Sequence, residues 1–195
     1  MITLQTPHLN LRPFIADDAA DLLEYLSSPI PSCFAGDKVT SIDTSVAKIA
    51  KRQKDEGDYL AVCLNETGKV IGEIFYVKEE PDTYSVGWNF NEQFHGKGYA
   101  SESAQAFIDY LFDKDDARRV YAYVEVDNVA SQKLCERLGM RKEGHFVEFI
   151  SFIKNADGTP KYEDTLQYAI LKKEWQAKRD AVSSLVLVKI IPPAL

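Results

Sequence analysis

The sequence predicts a mixed α/β fold, α+β in the broad sense, with one sheet flanked by helices. Three observations predict it. Stretches of strand-like alternation and of helical spacing interleave along the 195 residues. Three strand-like segments follow one another through short turns, which reads as antiparallel pairing. A helix with one apolar face then joins two strand-like segments, as a crossover between parallel strands does.

The elements follow in order. "LQTPHLNLRPF" sets Leu9, Leu11 and Pro13 against Asn10 and Arg12, a half-buried strand. "IADDAADLLEYLSS" reads as a helix, with Asp17 or Asp18 as N-cap and Ala20, Leu23 and Leu26 at helical spacing. "PIPSCFAGDKVT" is broken by Pro29, Pro31 and Gly36 and reads as a loop. "SIDTSVAKIAKRQKDEG" reads as a second helix ending near Gly57. "YLAVCLN" and "KVIGEIFYVK" form a hairpin through "ETGK", and "TYSVGWNF" is a third strand entered through "EEPD". A helix then places Ala100, Ala104, Phe107, Ile108 and Leu111 on one face. "RRVYAYVEV" is rich in β-branched and aromatic residues, as strands are. "DNVASQKLCERLG" is a helix capped by Asp127 or Asn128, buried along Ala130, Leu134 and Leu138, and ended by Gly139. "HFVEFISFIK" and "EDTLQYAILKKEW" are two long strands joined at Asp157-Gly158. Within the first, Phe146, Phe149 and Phe152 recur every third residue, so alternation forbids one shared face; they are expected mostly in the core, one or two of them lining a site.

With 45% hydrophobic residues the chain holds enough apolar surface for one domain and is short for two. Residues 1–175 are expected to form that domain, and 176–195 an apolar tail. Its end, "SLVLVKIIPPAL", is read either as a segment covering the domain's own surface or as an exposed edge pairing with a second subunit, a homodimer being the favoured outcome. A formal net charge of −7 argues against nucleic-acid binding and favours cationic partners such as amines. Cys33, Cys63 and Cys135 are odd in number and far apart, which suits reduced thiols in a cytoplasm and no metal site. No basic-then-apolar leader opens the sequence and no apolar run is long enough for a bilayer, so no membrane role is expected.

The stretch "NEQFHGKGYASESA" carries the functional signal. A strand ends, Gly96 and Gly98 flank Lys97, and a helix begins. Helix starts leave amides without partners at the positive end of the dipole, and glycines without Cβ let a bulky anion reach the backbone. The turn is suited to a phosphate or diphosphate; the competing reading is a tightened strand-to-helix turn. No Gly-Lys-Ser/Thr follows at P-loop spacing, and the third glycine of a dinucleotide fingerprint is missing.

Gln93-x-x-Gly96-x-Gly98 resembles the acyl-CoA loop of the GNAT N-acetyltransferases, and "GKGYASESA" the form in the branch that includes the RimJ- and RimL-type enzymes. "NVASQKLCERLGMRKEG", "TPHLNLRPF" with "DDAADL", and "DTLQYAILKKEW" match further segments of that branch in order, over residues 2 to 175. The resemblance implies a mixed sheet splayed open between "TYSVGWNF" and "RRVYAYVEV", with acetyl-CoA in the gap. Trp88, Asn89 and Phe90 would pair with the pantetheine arm, the amides of Phe94, His95, Gly96, Lys97, Gly98 and Tyr99 would hold the diphosphate, and Asn128 would reach the arm from the other side.

The implied reaction is direct acetyl transfer to an amine acceptor, a protein or peptide N-terminus or a small molecule. At pH 7 the neutral fraction of an α-amine exceeds that of a lysine roughly 200-fold, about 3 kcal/mol, so an α-amine needs only a modest base. The departing thiol, with a pKa of about 8.5, gains only modestly from an acid. Where many members of the family carry a tyrosine acid this sequence has Cys135, for which a small core residue is the favoured reading over a proton donor, and Ser131 is the alternative donor. The branch's glutamate before the strand glycine is replaced by Ser85, leaving Glu73 or Glu125 as base, each otherwise a solvated strand residue. His95 reads as a rim residue, and His8 and His145 have no evident partner. The missing acid and base also admit a non-catalytic acyl-CoA-binding module. Acceptor loops are expected at "SSPIPSCFAGDKV" and "NADGTPKY", near Cys33, Glu73 and Phe146.

Overall fold

A computed structural model describes residues 2–29, 31–54 and 59–190, with side chains through Ala181. The strands are β1 (Leu4–Gln5), β2 (Leu9–Arg12), β3 (Tyr59–Leu64), β4 (Val70–Glu79), β5 (Thr83–Phe90), β6 (Arg119–Glu125), β7 (Arg141–Lys154) and β8 (Pro160–Leu171). The helices are α1 (Ala19–Leu26), α2 (Ile42–Lys54), α3 (Tyr99–Asp113), α4 (Val129–Arg137) and α5 (Lys172–Ile190). One sheet runs β1-β2-β3-β4-β5-β6-β8-β7. All pairs are antiparallel except β5 with β6, which α3 joins as a crossover.

The parallel pair positions the site. β5 and β6 are in register only from Thr83–Arg119 to Ser85–Tyr121. Beyond that point β6 stays with β8, down to Glu125 opposite Thr165, while β5 stays with β4, up to Phe90 opposite Gly72. Val86 to Phe90 therefore lack a β6 partner, and the sheet opens into a V.

Each face of the sheet has its own core. On one, Leu60, Ile74 and Val86 pack against Phe107, Ile108 and Leu111 of α3 and Leu134 of α4. On the other, Ala61 and Cys63 pack against Leu22 and Leu26 of α1 and Ile49 of α2. Two neighbouring residues of β3, Leu60 and Ala61, serve opposite cores, as strand alternation requires.

Several expectations need correction. α1 starts at Ala19 with Asp18 as its N-cap, one of the two expected, but it buries Ala19, Leu22, Tyr25 and Leu26 and exposes Ala20, because Ala19, Leu22 and Leu26 are the ones packed with Ala61, Cys63 and Ile49. α4 exposes Ala130 and buries Cys135 with Leu134 and Leu138. The segment expected to be a loop contains a 3-10 helix, Ser32–Asp37. The first strand segment is a pair, β1 with β2. The expected end of the second helix near Gly57 lies outside the described residues.

β8 stops at Leu171, and "KKEW" opens α5. Trp175 is buried against Phe112 and donates its indole N–H to Asp109 at 2.6 Å, while Arg179 pairs with Asp113 at 2.7 Å. The start of α5 is thus bound to α3. The tail continues as helix to Ile190, not as an edge strand. Among the described residues no helix is long and apolar enough to cross a membrane.

Phe146, Phe149 and Phe152 are half-buried or exposed instead of core. The β7–β8 register shifts between Phe146 and Ile150 and again before Ile153, and Glu148 adopts φ 47°. Each bulge adds a residue and resets alternation, so residues three apart return to one side.

Candidate active site

The turn after β5 is anchored by Asn91, which sequence reasoning did not single out. Its side chain accepts from the Gln93 amide at 3.1 Å and donates to Glu24 at 2.8 Å, and its own amide donates to Ile71 at 2.9 Å. The anchored turn leads to Gly96 (φ 76°) and Gly98 (φ 85°), the latter being the N-cap of α3. Both conformations disfavour a side chain, although a Cβ at either position would meet nothing within 4 Å. The turn is open: His95, Gly96, Lys97 and Gly98 are exposed.

Among the described residues no protein group accepts from the amides of Gly96 to Ser101; the next amide, of Glu102, donates to the Gly98 carbonyl at 3.0 Å. Unpaired donors at the positive end of a 15-residue helix form an anion seat. Lys97 lies over the Phe94 ring at 5.2 Å, and the His95 ring contacts the Phe90 carbonyl at 3.3 Å, so both border the seat.

A cavity of about 350 Å³ fills the V. Ser85 to Trp88 of β5, Ala122 to Glu125 of β6, and Asn128 and Ser131 at the start of α4 line it. The Asn128 side chain accepts from the Ser131 amide at 3.0 Å, so the helix-cap reading holds while Asn128 faces the cavity. Ser131 accepts from the Trp88 indole at 3.1 Å, and its own hydroxyl hydrogen remains to be donated into the cavity. Asn89 is buried with its amide nitrogen unpartnered.

The other candidates separate. Cys135 lies in the α4 core away from the lining, and burial raises its thiol to about 12. Glu73 is fully buried, paired with the two terminal guanidinium nitrogens of Arg52 and 3.5 Å from the Tyr25 hydroxyl. Burial raises Glu73 to about 7 against the opposing pull of Arg52, which itself stacks on Phe14 and Tyr59. It is a paired interior carboxylate and not a solvated strand residue, and it does not line the cavity.

Glu125 does line the cavity, and it is buried too. It accepts from the Ser32 hydroxyl at 2.9 Å and the Cys33 amide at 2.8 Å. Cys33 borders the cavity as expected, its thiol pushed up by its surroundings and by Glu125. The "NADGTPKY" turn stays away from it, and Phe146 reaches it only by packing on Phe149 and Tyr123. His8 pairs with Glu102 at 2.9 Å and His145 with Asp164 at 2.8 Å. Gly87 is required by packing: a Cβ there would lie 2.1 Å from the Phe75 ring, which forms the cavity wall.

Comparison with known proteins agrees with this geometry. The family profile described as an acetyltransferase (GNAT) domain matches residues 8–141. YnaD of Bacillus subtilis (strain 168), named an uncharacterized N-acetyltransferase, is 32% identical over 176 residues, covering 88% of this chain and 98% of the relative. The p20 protein of Bacillus licheniformis, named likewise, is 30% identical over 184 residues, covering 90% and 99%. A GNAT-family acetyltransferase structure from Bacillus anthracis superposes with a TM-score of 0.78 at 28% identity, covering 88% of this chain and 99% of that one. A RimL ribosomal-protein acetyltransferase solved with coenzyme A shares the fold, with a TM-score of 0.68 at 20% identity over 87% of this chain and 98% of that one. The chain belongs to the GNAT acetyltransferase family, and its class of activity is N-acetyl transfer.

Proposed function

We propose that the protein transfers the acetyl group of acetyl-CoA directly to a primary amine, on a peptide or protein N-terminus or a small molecule. The observation that carries this is the free amide row Gly96–Ser101 set beside the unpaired β5 edge Val86–Phe90. The amides suit the diphosphate, with Lys97 adding charge. Backbone groups of Trp88, Asn89 and Phe90 suit the pantetheine amides as an added strand. Asn128 holds the arm from the α4 side. An amide of the parted strand is placed to stabilise the oxyanion formed by attack on the thioester.

Ser131 is the proposed acid for the leaving thiol, because its hydroxyl faces the cavity whereas the Cys135 thiol faces the core. Glu73 serves the fold through Arg52. The apolar composition of 184–195 supports a homodimer through the tail; a chain truncated after Asp180 is expected to be monomeric by light scattering if so. A thiol-release assay with acetyl-CoA and a panel of amines tests the reaction. Amine-dependent release is expected. Tight coenzyme A binding with no release on any amine would leave a binding module instead.

A further inference from the structure

The V has two sides, and the donor reading uses one. Trp88, Asn128, Ser131 and the α3 turn belong to the face carrying α3 and α4. On the opposite side the wall is aromatic and acidic. Phe34, Tyr59, Phe75, Tyr123, Phe149 and Phe152 supply rings to it. The charged residues of the lining are Asp37 and Glu125, and no Lys, Arg or His is among the described lining residues.

Glu125 is grouped with two further carboxylates. Oxygens of Glu125, Asp127 and Glu163 lie within 4.8 Å of one another. Lys161 pairs with Glu163 at 3.1 Å, and the Ser32 hydroxyl bridges Glu163 and Glu125 at 3.0 and 2.9 Å. Lys161 on Glu163 and Lys48 on Asp37 neutralise two of these four carboxylates, which leaves the negative charge of Glu125 and Asp127.

A second observation points to a ligand there. Thr165 stands directly across the β6–β8 pair from Glu125, lines the same cavity, and is 4% exposed. Its hydroxyl is buried without a hydrogen-bond partner. A buried hydroxyl left unpartnered is costly, and a ligand donor seated between it and Glu125 would satisfy both.

We infer that Glu125 and Thr165 form the seat of the acceptor's ammonium group, and that the acceptor is a cationic primary amine carried on an aromatic or otherwise apolar arm. The inference rests on the acetyltransferase reading and specifies its acceptor. The ammonium has three donors; the Glu125 carboxylate and the Thr165 oxygen accept two of them. The ring wall takes the arm, and its π-faces add attraction to the charge. For reaction, the ammonium passes one proton to Glu125. The freed nitrogen lone pair bonds to the acetyl carbon, the carbon–sulfur bond breaks, and the nitrogen's second proton reaches the departing sulfur through the Ser131 hydroxyl, so that the amide is neutral and coenzyme A leaves as the thiol. Anionic arms of the same shape are repelled by the carboxylates, and uncharged ones lose the attraction to them.

The test is equilibrium binding of 2-phenylethylammonium and its uncharged analogue 2-phenylethanol, to the free and the coenzyme A-loaded protein. The ammonium is expected to bind at least about tenfold more tightly than the alcohol. Glu125→Gln is expected to remove that preference and Thr165→Val to weaken the ammonium about fivefold, with coenzyme A affinity unchanged in both. The second variant keeps the test decisive if Glu125→Gln disturbs the Ser32–Cys33 segment. Equal binding of amine and alcohol, no binding of either, or full ammonium affinity in both variants would overturn the assignment. Calcium binding that displaces the amine and is lost in Glu125→Gln would overturn it in favour of a metal site. Failure of coenzyme A to bind would strike the donor reading alone, since amine binding to the free protein is measured separately.

Discussion

Gly98→Glu separates backbone conformation from ligand charge. Gly98 has φ 85°, and a Cβ there meets nothing within 4 Å. The fold cost is therefore conformational alone, about 1–2 kcal/mol for a left-handed non-glycine residue. In a domain of this size that lowers Tm by about 2–8 °C. The ligand cost is electrostatic. A carboxylate about 5 Å from a phosphate charge is repelled by about 1–3 kcal/mol, for an effective dielectric between 80 and 20. A diphosphate presents about two such charges, so the loss is at least about 2 kcal/mol, or about 30-fold in coenzyme A affinity. Gly98→Ala carries the same backbone strain without the charge, and its affinity is expected within about threefold of the parent. Titration calorimetry at low and high salt reads both variants, and circular dichroism checks their fold. The Gly98→Glu deficit should shrink as salt screens the repulsion. Wild-type affinity in a folded Gly98→Glu protein would refute the placement of the diphosphate.

Further expectations concern the interior and the acid. Glu73 is raised to about 7 by burial, above its unfolded value. The native state then holds this proton more tightly than the unfolded chain, so its contribution is full below about pH 4.5 and is lost as pH rises through about 7. Chemical denaturation from pH 5 to 8 should show wild type losing stability relative to Glu73→Gln by a few kcal/mol, at about 1.4 kcal/mol for each tenfold difference in proton affinity between the folded and unfolded chain; parallel curves would contradict it. Gly87→Ala drives a methyl into the Phe75 ring and should cost about 1–3 kcal/mol, read by thermal melting. Ser131→Ala should lower kcat on the order of tenfold, below the usual range for a general acid because a thiolate leaves readily. Cys135→Ala should leave turnover within about twofold while lowering stability by about 1 kcal/mol. The reverse ranking of those two variants in kcat would move the acid to Cys135.

The parts legible in the sequence are those whose physics is local. Gly96 and Gly98 announce themselves because positive φ is a demand of single residues, and the Asn128 cap is a contact three residues long. Strand and helix types follow from periodicity. Phase and distance do not. Ala20 reads as a buried position because it shares a helical spacing with Leu23 and Leu26, whereas the face that α1 buries is chosen by its packing on β3 and α2. Phe149 and Phe152 share a wall only because β7 bulges against β8, and alternation carries no mark of a bulge. Glu73 reads as solvated until α2 brings Arg52 to it from 21 residues away. The Ser32 bridge to Glu163 spans 131 residues, and Thr165 becomes notable only when β6 lies beside β8.

A crystal structure of the coenzyme A complex tests the central claim most directly. The diphosphate oxygens are expected at hydrogen-bond distance from amides between Gly96 and Ser101, with the pantetheine arm along Val86 to Phe90 of β5. A diphosphate bound elsewhere, such as in the basic concavity formed by Arg118, Lys172 and Lys173, would contradict it.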